Sequence, residues 1–284
     1  LSSGHLNGKT KILYKILILF FCLISSLELS AQKTPSSLNP DSVIYRKSWE
    51  AGVRLSSNGF SLGAEFTKSK RYTRSLLIQT RFSYFWDPKE VKQPSPYGGG
   101  SFFSGDGYKS FKYGKQNTLF TLYAGVGQKF LLAEKGKKHG VQIFFKYAAG
   151  FSLAILKPYY LKVVDTTSLT YDPTSQQYYF SNTLDVGYNQ GSNELFLNQT
   201  KYGDGTVVGA SGFGKGWKLK ALPGLHLEVG MEFDWAKNEG LIKALEVGVA
   251  ADFYYKKVPV MIQNNKFLYP SVYVGFMLGK RKEH

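Results

Sequence analysis

The chain has 284 residues and a formal net charge of +16, with 43% hydrophobic, 16% aromatic and 20% charged residues and 30 glycines. So much apolar and aromatic content excludes an intrinsically disordered chain. Beyond the leader described next, no 18 consecutive residues are apolar, which excludes a helical membrane protein.

The chain begins with a leader pattern. Lys9, Lys11 and Lys15 precede the apolar run ILILFFCLI, and SLELSAQ then offers small residues at a cleavage position with Ala31 as the last residue removed. Such a sequence is expected to be a secretory signal peptide over 1–31. The run from Ile16 to Ile24 is too short for a spanning helix, which needs about 20 apolar residues. Cys22, the single cysteine, lies inside that run behind Phe20 and Phe21. A lipoprotein signal would want small residues there, so lipid anchoring is rejected and no disulfide framework is expected.

Eight stretches of period two follow, each with two unlike faces. Residues 48–57 place Trp49, Ala51, Val53 and Leu55 opposite Glu50 and Arg54, and Asn58-Gly59 then signals a hairpin. Residues 59–68 set Phe60, Leu62, Ala64 and Phe66 against Ser61, Gly63, Glu65 and Thr67. The same alternation marks 72–86, 117–131 and 141–157. The sixth stretch, 218–235, contains LHLEVGMEFDW, with six apolar residues alternating with His226, Glu228, Gly230, Glu232 and Asp234. Pro223-Gly224 lies within it and is expected to be a bulge or kink and not a turn, since a ninth strand would leave the two chain ends on opposite sides. Residues 242–257 and 268–279 complete the set.

Eight strands of this length predict an all-β fold, an eight-stranded antiparallel transmembrane β-barrel with two long extracellular loops. The linkers near 68–71, 133–140 and 236–241 are short and those at 87–116 and 158–217 are long. Short periplasmic turns with long outer loops are the bacterial outer-membrane pattern. The expected divisions are a signal peptide over 1–31, a periplasmic N-terminal segment over 32–47, the barrel over 48–279 and a basic C-terminal tail over 280–284. With the apolar face toward lipid, the charged face points inward. The expected lumen holds Glu50, Glu65, Glu228, Glu232, Asp234, Glu246 and Asp252 with Arg54, Arg81, Lys129, Lys146 and Lys220. An eight-stranded barrel is only wide enough to be filled by its side chains, so these charges are expected to pair.

Candidate chemistry is thin. His139 and His226 are the only histidines between the leader and the last residue, and His226 shares an inward face with Glu228 two residues away. That spacing suits a metal pair or an acid–base pair, and a polar lumen contact explains it as well. The run GASGFGKGW at 209–217 resembles a phosphate loop only superficially, because no Ser or Thr follows its GK. Glycines that let the long loop turn back explain it better. No catalytic residue, cofactor or metal site is assigned.

Removing 1–31, with three Lys and one Glu, leaves a charge of +14. A nucleic acid is the usual partner of a basic chain, but an exported barrel has no access to one. The expected periplasmic rim gathers Lys33, Arg46, Lys47, Lys68, Lys70, Arg71, Arg74, Lys135, Lys137, Lys138, Lys237, Lys243, Lys280, Arg281 and Lys282. Outer-membrane lipid heads, an acidic periplasmic protein and plain solvation all fit such a ring. The segments 94–114 and 158–183 are rich in Tyr and Phe among Gly, Ser and Asn, which fits either a binding surface for a protein partner or an extension that caps the barrel.

The whole sequence resembles outer-membrane β-barrel proteins of Bacteroidota. The resemblance rests on the Ala31-Gln32 junction, YGKQNTLFTLYAGVGQK, LKPYYL, KALEVGVAADFYYKKVPVM and YVGFMLGKR. It implies the fold and an outer-membrane location, for a family without a settled activity. The side-chain-filled lumen leads to the expectation of a non-enzymatic structural or accessory subunit of an envelope complex, with a small channel or surface ligand receptor as the alternative. The chain departs from many such proteins by continuing into KRKEH where they end on an aromatic residue.

Overall fold

Period-two alternation becomes eight long strands in a computed structural model. The model describes residues 45–95, 109–135, 140–174, 177–180, 182–190, 196, 207–212, 214, 216–238, 240–263 and 265–283. The strands are β1 (Tyr45–Ser56), β2 (Gly59–Arg71), β3 (Arg74–Phe85), β4 (Asn117–Ala133), β5 (Gln142–Pro158), β6 (Lys220–Asp234), β7 (Leu241–Val258) and β8 (Lys266–Glu283). Each is antiparallel to its sequence neighbours, and β1 also pairs with β8 over Tyr45–Ser56, which closes the ring. The expected signal peptide and most of the expected N-terminal segment, with Lys33, lie outside the described residues.

Two expectations change. β1 starts at Tyr45 instead of 48, and β8 runs through Glu283, so Lys280–Lys282 belong to the wall and not to a tail. Pairing explains this: Lys47 lies opposite Lys282 and Trp49 opposite Lys280, so the closing seam itself holds these residues extended. Pro223-Gly224 is inside β6 without a shift of register against β5, where Pro223 faces Leu153. It is therefore neither a turn nor a bulge. Pairing of β6 with β7 begins only at Gly224, so the missing Pro223 N–H falls where that edge of the strand has no ladder to join.

The alternation has one sense all round the ring. Val53, Leu62, Phe82, Leu122, Phe151, Leu227, Val249 and Val272 are exposed on the outer wall, while Glu50, Glu65, Arg81, Lys146, Glu232 and Glu246 are buried inside. Aromatic contacts gather toward the two ends of the outer wall: Phe60, Tyr84, Phe120 and Trp86 at one, Phe130, Phe145 and Tyr147 at the other. Short linkers, 72–73, 134–141 and 235–240, all lie at one end, and the long spans 86–116 and 159–219 at the opposite end.

Inward glycines make room for inward tyrosines. Gly230 and Gly248 face each other across β6 and β7, and a Cβ at either would lie 2.7 or 2.6 Å from the Tyr273 hydroxyl. That hydroxyl donates to Glu246 Oε1 at 3.0 Å. We expect Gly248→Val to overpack this joint and cost about 1–3 kcal/mol, measured as chemical unfolding of the reconstituted chain with the conservative Ser271→Ala as reference.

Candidate functional site

The inside of the ring is layered. Its middle is ionic, and each cation reaches across the bore to strands that are not its neighbours. Lys129 Nζ on β4 donates to Glu50 of β1 at 2.9 Å and to Glu232 of β6 at 2.7 Å. Lys146 Nζ on β5 donates to both oxygens of Glu65 on β2 at 2.9 Å and lies 2.7 Å from Glu246 on β7. Arg54 meets Glu65 at 2.7 Å, Glu228 at 3.0 Å and Glu246 at 2.7 Å, and Arg81 donates to Glu228 at 2.7 Å. Two guanidiniums lie over tyrosine rings, Arg54 at 4.5 Å from Tyr273 and Arg81 at 5.5 Å from Tyr123. The sequence-predicted lumen set is thus brought together, with one exception and one addition. Lys220 is exposed, because β6 at that level pairs only with β5 and has left the closed part of the ring. Arg281, placed on the rim by the sequence, turns inward to Asp234.

Two groups of three carboxylates have a geometry that could hold a metal ion: Glu50, Glu65 and Glu232, and Glu65, Glu228 and Glu246. Their centres are served by ammonium and guanidinium groups of the chain itself, so the donor chemistry fits internal ion pairing better than a resident metal. His226 has Nδ1 2.8 Å from Asp252 and Nε2 3.4 Å from Glu228, with its ring centroid 4.1 Å from that of Tyr123. Directly across the ladders it faces Gly150 and Asp252, neither of which offers a hydroxyl nucleophile. A lumen contact accounts for His226 fully. His139 lies outside the described residues.

The end bearing the long linkers is sealed. Phe85, Leu119, Ala154, Leu156, Tyr254 and Tyr269 form an apolar layer with Val258, Val260 and Met261. The β7–β8 linker supplies the last two and crosses the mouth to β4, on the far side of the ring from β8. There Gln116 and Asn117 N–H donate to Val260 O at 2.9 and 3.1 Å, Asn117 Nδ2 donates to Pro259 O at 2.7 Å, and Ile262 N–H donates to Gly114 O at 2.8 Å. Beside this strap Glu90 accepts from Lys115 at 2.9 Å and from Lys112. Sequence reasoning missed the strap and the Glu90 cluster, because nothing in linker composition says which wall a short segment will reach.

Above the seal the long span 159–219 carries its own small sheet. Tyr160–Val164 continues beyond β5 and pairs with Thr183–Gly187 on one side and Val207–Ala210 on the other. Phe111, Leu161, Val163, Phe196 and Val207 form its core. The capping reading of 158–183 therefore has a physical basis, while much of 94–114 lies outside the described residues. In the glycine-rich run at 209–217, Gly216 has φ +76° and packs against the Tyr160 ring, as a turn back toward β6 requires.

No family model and no curated protein sequence matches the chain. Among solved structures it is similar to Ail, the attachment invasion locus protein of Yersinia pestis, with TM-score 0.37 and 7% identity over 84% of this chain and 99% of that one. Neisserial surface protein A is similar with TM-score 0.36 and 8% identity over 84% and 96%. The outer membrane protein OprG from Pseudomonas aeruginosa gives TM-score 0.30 and 9% identity over 84% and 97%.

Two outcomes follow from this geometry. Lys146→Met should cost about 3–5 kcal/mol, because it removes one of the two cations that Glu65 and Glu246 share and leaves Arg54 alone to serve both; adding Glu65→Gln and Glu246→Gln should recover part of it, read by chemical unfolding in lipid. The second concerns pH at the strap. Burial works against the Glu90 carboxylate, yet Lys115 and Lys112 hold its pKa below the ordinary carboxylate value, while burial lowers that of Lys115 below the usual lysine value. The Glu90 contribution is therefore complete above the ordinary carboxylate range and lost as pH falls through the lowered folded value. Hydrogen exchange corrected for intrinsic rates should show residues 87–93 losing protection on that acid side, with no such step in Glu90→Gln.

Proposed function

We propose that the chain is a non-enzymatic outer-membrane β-barrel of the Bacteroidota type, a structural or accessory subunit of an envelope complex that presents its long-linker end to the outside. The observation that carries this reading is the double closure of the bore: cross-strand ion pairs fill its middle and the 259–263 strap with its apolar layer covers its mouth. Around that filled interior the wall turns exposed Val, Leu, Ile and Phe outward with aromatic residues toward both ends, which suits the hydrocarbon and interfaces of a bilayer and not water. With every stave hydrogen-bonded on both sides, the wall leaves no ladder edge to lipid.

The partner of such a barrel meets either the small sheet above the mouth or the basic rim at the other end. The sheet favours the outside: it has its own apolar core, so it can hold a fixed binding surface clear of the membrane. The alternative, a small channel or surface ligand receptor, divides at this point. A channel needs both the strap and the ionic layer to give way, whereas a receptor needs neither. Planar-bilayer recording of the reconstituted chain at neutral pH should show no stable open state, and a steady single-channel conductance would sink the filled-barrel reading.

A further inference from the structure

We infer that the outer wall at the short-linker end binds the phosphodiester headgroup of an anionic glycerophospholipid on the row Lys68, Lys47 and Lys282. This rests on the reading of the chain as a membrane-embedded barrel. Lys47 lies directly opposite Lys68 on one side and directly opposite Lys282 on the other, and all three are exposed. Like charges directly opposed across a ladder repel, and among the described side chains no carboxylate stands at an outward position of these three strands. Outward positions of β1, β2 and β8 read Lys47, Trp49, Ala51; Lys68, Phe66, Ala64; and Lys282, Lys280, Leu278 from the rim inward, with no Asp or Glu among the outward positions that follow. A bound anion relieves that repulsion.

Phase decides what kind of anion. These lysines alternate in step with the apolar side chains of the outer wall, so they point sideways at headgroup level and not into the aqueous space beyond the rim. Immediately above them Trp49 pairs with Phe66, an aromatic shelf suited to a membrane interface. Above the shelf the side chains become small: Ala51, Ala64, Thr80 and Ala124 stand in one register row across β1 to β4. A shallow groove of about 1160 Å³ runs obliquely round the wall from Trp49, Phe66 and Ala64 at this end, past Thr80 and Ala124, to Phe253 and Leu268 toward the opposite end. Cation row, aromatic shelf and apolar groove occur in the order headgroup, glycerol and acyl chain. An acidic protein arriving from the aqueous side would match the charge and leave the groove unused.

The test uses the full chain in mild detergent, with lipid retention read by native mass spectrometry and thermal melting after addition of phosphatidylglycerol, phosphatidylcholine or inorganic phosphate. Phosphatidylglycerol should be retained and should raise the melting temperature, while phosphatidylcholine and inorganic phosphate do neither. The triple variant K47Q/K68Q/K282Q should bind on the order of a hundredfold more weakly, from about fivefold for each lysine removed at a lipid surface. K47Q alone should lose about fivefold by the same measure, which keeps the test open should the triple fail to fold. The control triple K256Q/K257Q/K266Q, at the opposite end, should bind as the unmodified chain does. Equal retention of the two lipids, equal losses in both triples, or the same stabilisation by inorganic phosphate would overturn the inference. Flotation with phosphatidylcholine vesicles separates the two levels: a chain that fails to insert defeats the membrane-barrel reading itself, and one that inserts without preferring phosphatidylglycerol defeats only the headgroup site.

Discussion

Everything else in this structure depends on the seam between β1 and β8. An open eight-stranded sheet would present two rows of unpaired N–H and C=O groups, and an apolar wall could not face hydrocarbon beside them. Pairing over Tyr45–Ser56 with β8 removes both edges at once. Closure also gives the alternation its meaning, because a ring has an inside and an outside whereas a flat sheet has only two faces. Alternation then places Trp49, Val53 and Leu55 outside and Glu50 and Arg54 inside along the same strand.

Enclosure is what makes the charged interior tenable. A carboxylate or ammonium held away from water is costly unless paired, and pairing within one strand or with the adjacent strand could not bring enough opposite charge together. The bore is narrow enough for long side chains to cross it. Lys129 joins β4 to β1 and β6, Lys146 joins β5 to β2 and β7, and Arg54 joins β1 to β2, β6 and β7. All of these links but Arg54–Glu65 tie non-adjacent staves, so they brace the cross-section where the ladders brace only neighbours. At the mouth, the strap repeats the principle with backbone groups, joining the β7–β8 linker to β4 across the ring.

The two ends carry different chemistry for the same reason of position. One end supports a small sheet with its own core, which gives a fixed outward surface. At the other end lysines continue the outward phase of the strands, so their charge meets whatever surrounds the wall and not what lies inside it. Arg281 shows how finely this is set: it sits between Lys280 and Lys282, takes the opposite phase, and enters the lumen to pair with Asp234.

How much was legible beforehand follows the range of each interaction. Period-two alternation is local, so the eight strands, their sidedness and nearly all of the lumen charges could be read from LHLEVGMEFDW and its counterparts. Boundaries were less legible where pairing decides them: the KRK after 279 reads as a tail until Trp49 and Lys47 hold it in the seam. Lys220 reads as inward by its phase, but β6 and β7 are not paired beyond Gly224 and Tyr254, and the side chain is exposed. The strap, the Glu90 cluster and the partners of each cation were not legible, since they depend on which residues meet across a ring and not along a chain. The sequence by itself determined that the wall would be two-faced and charged within. Tertiary structure alone decided which charges meet and what covers the mouth, because bore-spanning distances exist only once the ring has closed.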